Sequence, residues 1–126
     1  MKKLSHVDGA GRARQVDVGD KVPQRRMARA SGRISLSEEA VLLARQDRMK
    51  KGDVLAVAKI AGIMAAKKTE ELIPLCHCLN LEHVDINFNI AADGIEIISK
   101  VITSGKTGVE MEALTAVAVA ALTVYD

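Results

Sequence analysis

A chain of 126 residues, 48% hydrophobic and 27% charged, suits a single globular core and is too apolar to be disordered. Its net charge of +2 is too small for nucleic-acid binding by phosphate neutralisation. An aromatic content of 2%, Phe88 and Tyr125 alone, leaves no platform for stacking bases, so the core must be packed from Val, Ile, Leu, Met and Ala.

Met1-Lys2-Lys3-Leu4 opens no apolar stretch, so no signal peptide is expected, and the longest apolar run, 116–122, is far short of a membrane span. The only cysteines, Cys76 and Cys78, stand too close in sequence to bridge each other, which suits a reduced, cytoplasmic protein. From Met1 to about Arg33 the chain is polar and dotted with glycine, which predicts a partly flexible arm over about residues 1–30. Only Val16-Asp17-Val18 and the segment from Met27 to Leu36 carry short strand-like patterns there. Basic residues gather between Arg12 and Arg33, with Lys21, Arg25, Arg26 and Arg29 among them; they fit a solvated arm or a pocket for a small polyanion.

Ser37-Glu38-Glu39 opens an amphipathic helix that stops near Asp47, its acidic first turn complementing the helix dipole. Lys50-Lys51-Gly52 is a charged break, and Asp53 is placed to cap a helix from Val54 to Lys68 with Val54, Val57, Ala61 and Ala65 on one stripe. Gly62 costs that helix about 1 kcal/mol of propensity against alanine and points to close backbone packing. Val84 to Ile90 alternates apolar and polar residues, Asp93-Gly94 supplies a turn, and Ile95 to Ile102 returns, so a β-hairpin is expected. Gly105-Lys106-Thr107-Gly108 precedes a last helix, Met111 to Val124, with Thr107 and Glu110 at capping-box spacing. That helix is apolar nearly all round, which predicts burial between a sheet and another element. The order of elements predicts an α+β domain, a largely antiparallel sheet with helices packed on one face.

Several places could carry chemistry. Cys76, His77, Cys78 and His83 offer four possible metal ligands, but their spacing is unlike that of zinc sites, and a structural role for His77 is the simpler reading. Gly105-Lys106-Thr107 is not a P-loop, since Lys100 stands where that pattern calls for a further glycine. Backbone amides at such a helix start can still hold an anion, as readily as they can form an ordinary capping turn. Glu110 and Glu112 lie about 200° apart around a regular helix, so one can serve a pocket while the other only caps. Lys51 would become a general acid only near another cation or in a dry pocket.

Together these segments resemble a known family. Lys51-Gly52-Asp53, Ile60-Ala61-Gly62-Ile63, Leu72-Ile73-Pro74-Leu75-Cys76-His77 and the long block from Gly105 through Glu110-Met111-Glu112 to Ala116 are similar, in order and separation, to cyclic pyranopterin monophosphate synthases of molybdenum cofactor biosynthesis. Ser5-His6-Val7-Asp8 and Val16-Asp17-Val18 fit as well, so the likeness spans essentially the whole chain. The resemblance implies a ferredoxin-like α+β subunit in a hexamer built as a trimer of dimers, with sites at subunit interfaces. It implies a lyase that converts 3′,8-cyclo-7,8-dihydro-GTP, supplied by a radical SAM GTP cyclase, to cyclic pyranopterin monophosphate and pyrophosphate. No metal or other cofactor is implied, and neither nucleic acid nor membrane is a partner. Residue by residue, it implies catalytic roles for Lys51, His77, Glu110, Glu112 and Asp126. Cys76 and Met111 would line the substrate pocket, with Arg25 and Arg26 holding the triphosphate.

The sequence departs from that pattern twice. Cys78 stands where the family usually has proline, and the family's pattern continues past Asp126 with a second catalytic lysine. The expectation is therefore one synthase domain over 1–126 without the family's C-terminal part. A non-catalytic nucleotide- or phosphate-binding module is the alternative that a missing lysine would favour. Proteins whose helices serve only assembly, and small metalloproteins, are the remaining alternatives.

Overall fold

A computed structural model describes residues 4–46 and 53–126 of the chain. Among the described residues the elements run β1 (Gln24–Ser35), α1 (Glu38–Arg45), α2 (Val54–Lys67), α3 (Thr69–Leu72), β2 (Leu81–Ala91), β3 (Gly94–Gly105) and α4 (Glu110–Tyr125). The strands form one antiparallel sheet in the order β1-β3-β2. With the helices packed on it, this is an α+β, ferredoxin-like fold. No described helix is long and apolar enough to cross a membrane.

The hairpin forms where local alternation and turn chemistry agree: β2 and β3 pair from Leu81↔Thr103 to Ala91↔Gly94. The central strand β3 puts Ile95, Ile97, Ser99, Val101 and Thr103 on the covered face, all fully buried. β1 pairs with β3 from Gln24↔Gly105 to Ser35↔Gly94, so it begins before Met27 and takes in Arg25 and Arg26. Pairing with a long neighbour overrides the weak strand signal of those arginines. Val16-Asp17-Val18, by contrast, lies in no strand, because the arm meets no sheet edge there.

The helices begin largely as their capping residues dictate. Ser37 accepts a hydrogen bond from the Ala40 amide at 3.1 Å, and Asp53 accepts one from the Ala56 amide at 3.1 Å. The expected Thr107–Glu110 capping box does not form: α4 starts at Glu110 behind Val109, without a side-chain cap. Val109 is fully buried, and seating its side chain sets where the helix can start.

α2 and α4 pack together over the sheet through small residues. α2 buries Val54, Ala58, Gly62, Ala65 and Ala66, while Val57 of the expected stripe is left exposed. A helix apolar on all sides gives no moment to choose its inner face, so the closest approach chooses it. At Gly62 an added Cβ would run into Ile86 and come within 2.9 Å of the Ala116 carbonyl oxygen. α4 likewise buries only one side, Ala113, Ala116, Val117, Ala120 and Val124; Met111, Leu114, Leu122 and Tyr125 are exposed. The expectation of a fully sandwiched last helix therefore holds for one face only.

Candidate active site

The loop between α3 and β2 carries the Cys76-His77-Cys78 segment. Its turn is closed by the Cys76 amide donating to the Ile73 carbonyl at 3.1 Å, with Pro74 inside it. α4 presents its first residues to this loop, and its position is fixed from below by the Ser99 hydroxyl, which donates to the Ala113 carbonyl at 2.8 Å. Cys76 and Glu112 meet there: the Cys76 Sγ lies 3.6 Å from Glu112 Oε2.

A cavity of about 820 Å³ opens beside this contact. One wall consists of Ile73 to His77 together with Thr107, Gly108, Glu110 and Met111; the other is the N-terminal arm, through Ser5, His6, Ala13, Val16, Val18 and Lys21. A smaller hollow of about 560 Å³ shares Val18, Cys76 and His77 with it and adds Gln15, Glu70, Cys78 and Lys106. Such a volume suits a nucleotide-sized molecule.

The carboxylates divide as the helix geometry requires. Glu110 is exposed and lines the cavity, whereas Glu112 is only 3% exposed and turned to Cys76. Burial pushes the Glu112 carboxyl above the usual carboxylate range, and the charge of Glu110 adds to this; its own backbone amide and the Cys76 thiol oppose it. Burial likewise pushes the Cys76 thiol up to about 11, reinforced by Glu112, Glu70 and Cys78. Cys78 is exposed, and a hydrogen bond to Glu70 raises its thiol pKa. Both sulfurs therefore remain thiols at neutral pH, the reverse of an activated nucleophile.

His77 Nε2 is hydrogen-bonded to the Val16 carbonyl. A carbonyl can only accept, so Nε2 carries the proton and, in the neutral ring, Nδ1 is the basic nitrogen. Gln15 Nε2 donates to the Cys76 carbonyl at 3.0 Å and Lys106 Nζ to the Gly19 carbonyl at 3.2 Å, so the arm is laid across the loop and tied at several points.

The structure thus brings together Cys76, His77, Glu110, Glu112 and Met111 of the sequence-derived set. It does not bring the two arginines together. Successive strand residues face opposite ways, so Arg25 lies on the open face of β1, beside Glu82 at 3.4 Å, and Arg26 on the helix side. The Arg26 guanidinium donates to the carbonyls of Gly105 at 3.0 Å and Lys106 at 3.4 Å, bracing the glycine loop before α4. Asp126 follows the far end of α4, roughly 24 Å along the helix axis from Glu110. Lys51 lies outside the described residues. Among the described residues no group of three or more His, Cys, Asp or Glu side chains could hold a metal ion.

Residue patterns do not select the Thr107 side chain, Gly108 or His6 for the site, and offer Lys21 only within a basic cluster that fits an arm or a polyanion pocket, although all four line the cavity. The glycine loop and the cluster of basic residues were the available signals. Neither says which side chains turn inward.

Fold and cavity together define a ferredoxin-like α+β protein with an acid–base lined, nucleotide-sized site. The MoaC family model matches residues 15–126, and the chain belongs to that family. It is 56% identical over 126 residues to a cyclic pyranopterin monophosphate synthase of Chloroflexus aurantiacus, covering 98% of this chain and 77% of that protein. The synthase of Thermomicrobium roseum is 58% identical over 128 residues, covering 100% of this chain and 77% of the relative. A molybdenum cofactor biosynthesis bifunctional protein of Chlorobaculum tepidum is 56% identical over 124 residues, 98% of this chain but 40% of its own length.

Proposed function

We propose that this chain is a cyclic pyranopterin monophosphate synthase of molybdenum cofactor biosynthesis, a lyase acting on 3′,8-cyclo-7,8-dihydro-GTP and releasing pyrophosphate. The observation that carries this reading is the meeting of Cys76, His77 and Glu110 on one cavity, with Glu112 buried against the Cys76 sulfur, in a chain more than half identical to proteins of that name.

The reaction opens and recloses a purine-derived ring, which requires protons to be delivered to and removed from nitrogen and carbon centres. His77, with Nδ1 as its basic nitrogen, and Glu112, whose burial favours the acid form, suit opposite directions of transfer. An internal hydroxyl attacks the α-phosphorus as the bond to pyrophosphate breaks, and cations must meet the leaving oxygens. Lys21 on the cavity wall and Lys51 are assigned to this side of the chemistry; Arg25 and Arg26, which face opposite ways on β1 and line neither hollow, are phosphate contacts only for a site shared between copies. Arg26 also braces the loop from which Glu110 projects.

The active protein on this reading is a cytoplasmic hexamer, a trimer of dimers, fed by a radical SAM GTP cyclase and needing no cofactor of its own. Residues 1–126 form one synthase domain with an N-terminal arm. Exposed apolar side chains along α2 and α4, among them Val57, Ile60, Met64, Leu114 and Leu122, favour such assembly. A site shared between copies would also give Asp126 a role that its distance along α4 denies it within one chain.

Product analysis on the cyclic triphosphate tests the reading. Formation of cyclic pterin and pyrophosphate is expected, with turnover lowered by about a hundredfold or more in Lys51→Ala. Turnover in Lys51→Ala equal to that of the parent would remove the lysine from the mechanism. Binding without product would mean a nucleotide-binding module instead.

A further inference from the structure

Glu112 is almost wholly buried, yet its Oε1 has no hydrogen-bond partner among the described residues, while Oε2 faces the Cys76 sulfur at 3.6 Å. An idle oxygen on a buried carboxyl is costly, and such atoms in a folded protein call for an explanation. We propose that Cys76 is a positioning residue for Glu112: its thiol occupies Oε2, and so leaves Oε1 as the oxygen that carries the exchangeable proton. The proposal rests on the reading of Glu112 as an acid–base group of the synthase reaction and adds how that group is held.

The direction of the bond follows from the chemistry of the two atoms. Sulfur is a weak acceptor and a carboxyl oxygen a strong one, so the contact is S–H donating to Oε2 rather than the reverse. With Oε2 already accepting, the proton of the neutral acid sits on Oε1. The thiol is suited to this task because burial and the surrounding acids keep it protonated. The groups that bear on Glu112 are its own backbone amide, Cys76 from the loop and Glu110 from its own helix; around the thiol stand Glu112, Glu70 of α3 and Cys78. The competing acceptor is the His77 carbonyl, also 3.6 Å from the sulfur.

Infrared spectroscopy of the whole chain separates these acceptors without any ligand. In Cys78→Ser protein the single remaining thiol should show an S–H stretch below that of a solvated thiol, and Glu112→Ala should move it. A band left in place by Glu112→Ala would assign the thiol to the His77 carbonyl and overturn the proposal. Should Glu112→Ala fail to fold, Glu112→Leu fills more of the space, offers no acceptor and is read in the same way. The acid carbonyl band that Glu112→Gln abolishes should titrate at higher pH in Cys76→Ala, which loses a donor to the ionised form, and return toward the parent in Cys76→Ser. An unchanged midpoint in Cys76→Ala would also overturn it. In turnover, the Cys76→Ala change should displace the corresponding limb of the kcat–pH profile in the same direction, with KM little altered. No turnover in any form, with both infrared couplings present, would refute the synthase reading while upholding the thiol–carboxyl assignment.

Discussion

The two walls of the cavity are built by different means. The wall of Cys76, His77, Glu110 and Met111 rests on the core: Val109 and Ala113 are fully buried, and the Ser99 hydroxyl holds the Ala113 carbonyl at 2.8 Å. The arm opposite contains no described helix or strand; it has a bridge between Val7 and Ala13, an Asp8 turn accepting from the Ala10 and Arg12 amides at 2.9 Å, and an Asp17 turn accepting from the Gly19 amide at 2.9 Å. Gly11 in the Asp8 turn takes φ +81°, which a side chain would resist. Polar ties from Gln15, His77 and Lys106 hold the arm over the site. A wall of the first kind can hold proton donors in fixed geometry. One of the second kind can cover a ligand and still let it pass.

The largest effect should fall on the first wall. Glu112→Gln keeps the shape of the side chain and removes its titration, so turnover should drop by about 10²–10⁴-fold. Stability should change the other way. The carboxyl pKa is raised on folding, so ionised Glu112 weakens the fold above that raised value, and the penalty fades as pH falls toward the unfolded value. Glu112→Gln should therefore raise Tm most at neutral to alkaline pH and by a shrinking margin toward acid. A Tm gain independent of pH would sever the burial of Glu112 from its protonation.

Gly108→Ala should be next in size and divides geometry from stability. A Cβ there would run into the Glu110 carboxylate, its Cδ being 2.7 Å away. Glu110 is exposed and can swing aside, so the unfolding free energy should change by less than about 0.5 kcal/mol. Turnover should still fall by up to about a hundredfold if Glu110 acts as proposed, because its carboxylate is displaced. Full activity together with intact folding would mean that the position of Glu110 does not matter.

The same contrast explains what the sequence made legible. The β2–β3 hairpin, the α1 and α2 starts and the approach at Gly62 depend on neighbours in sequence, and residue patterns found them. β1 reaches back beyond the alternating pattern from Met27 because Gln24 to Arg26 become strand only by pairing with Thr103 to Gly105. The inward faces of α2 and α4 were obscured because nearly every position is apolar, so periodicity does not choose a face. At the site, the resemblance supplied Cys76, His77, Glu110 and Glu112, and the helical angle foretold that the two glutamates would part. No local signal could show that Arg25 and Arg26 face opposite ways, or that His6, Val16 and Lys21 return from far upstream to close the cavity. Those facts belong to tertiary placement.

The smallest effects should come from the arm. Lys106→Met removes the tie to the Gly19 carbonyl, and Gln15→Ala the tie to the Cys76 carbonyl. Each exposed bond contributes about 0.5–1.5 kcal/mol, so each change should raise KM a few-fold and leave kcat nearly unaltered. The paired variant decides whether the arm closes as one piece. Independent ties would give a double effect equal to the sum of the single ones. An arm that lifts as a unit loses its purchase when the first tie goes, so the second would cost less than it does alone. A fall in kcat in either single variant would count against this division of labour. It would mean that the arm holds His77 by the Val16 carbonyl firmly enough to set the chemical step, and that the second wall too takes part in catalysis.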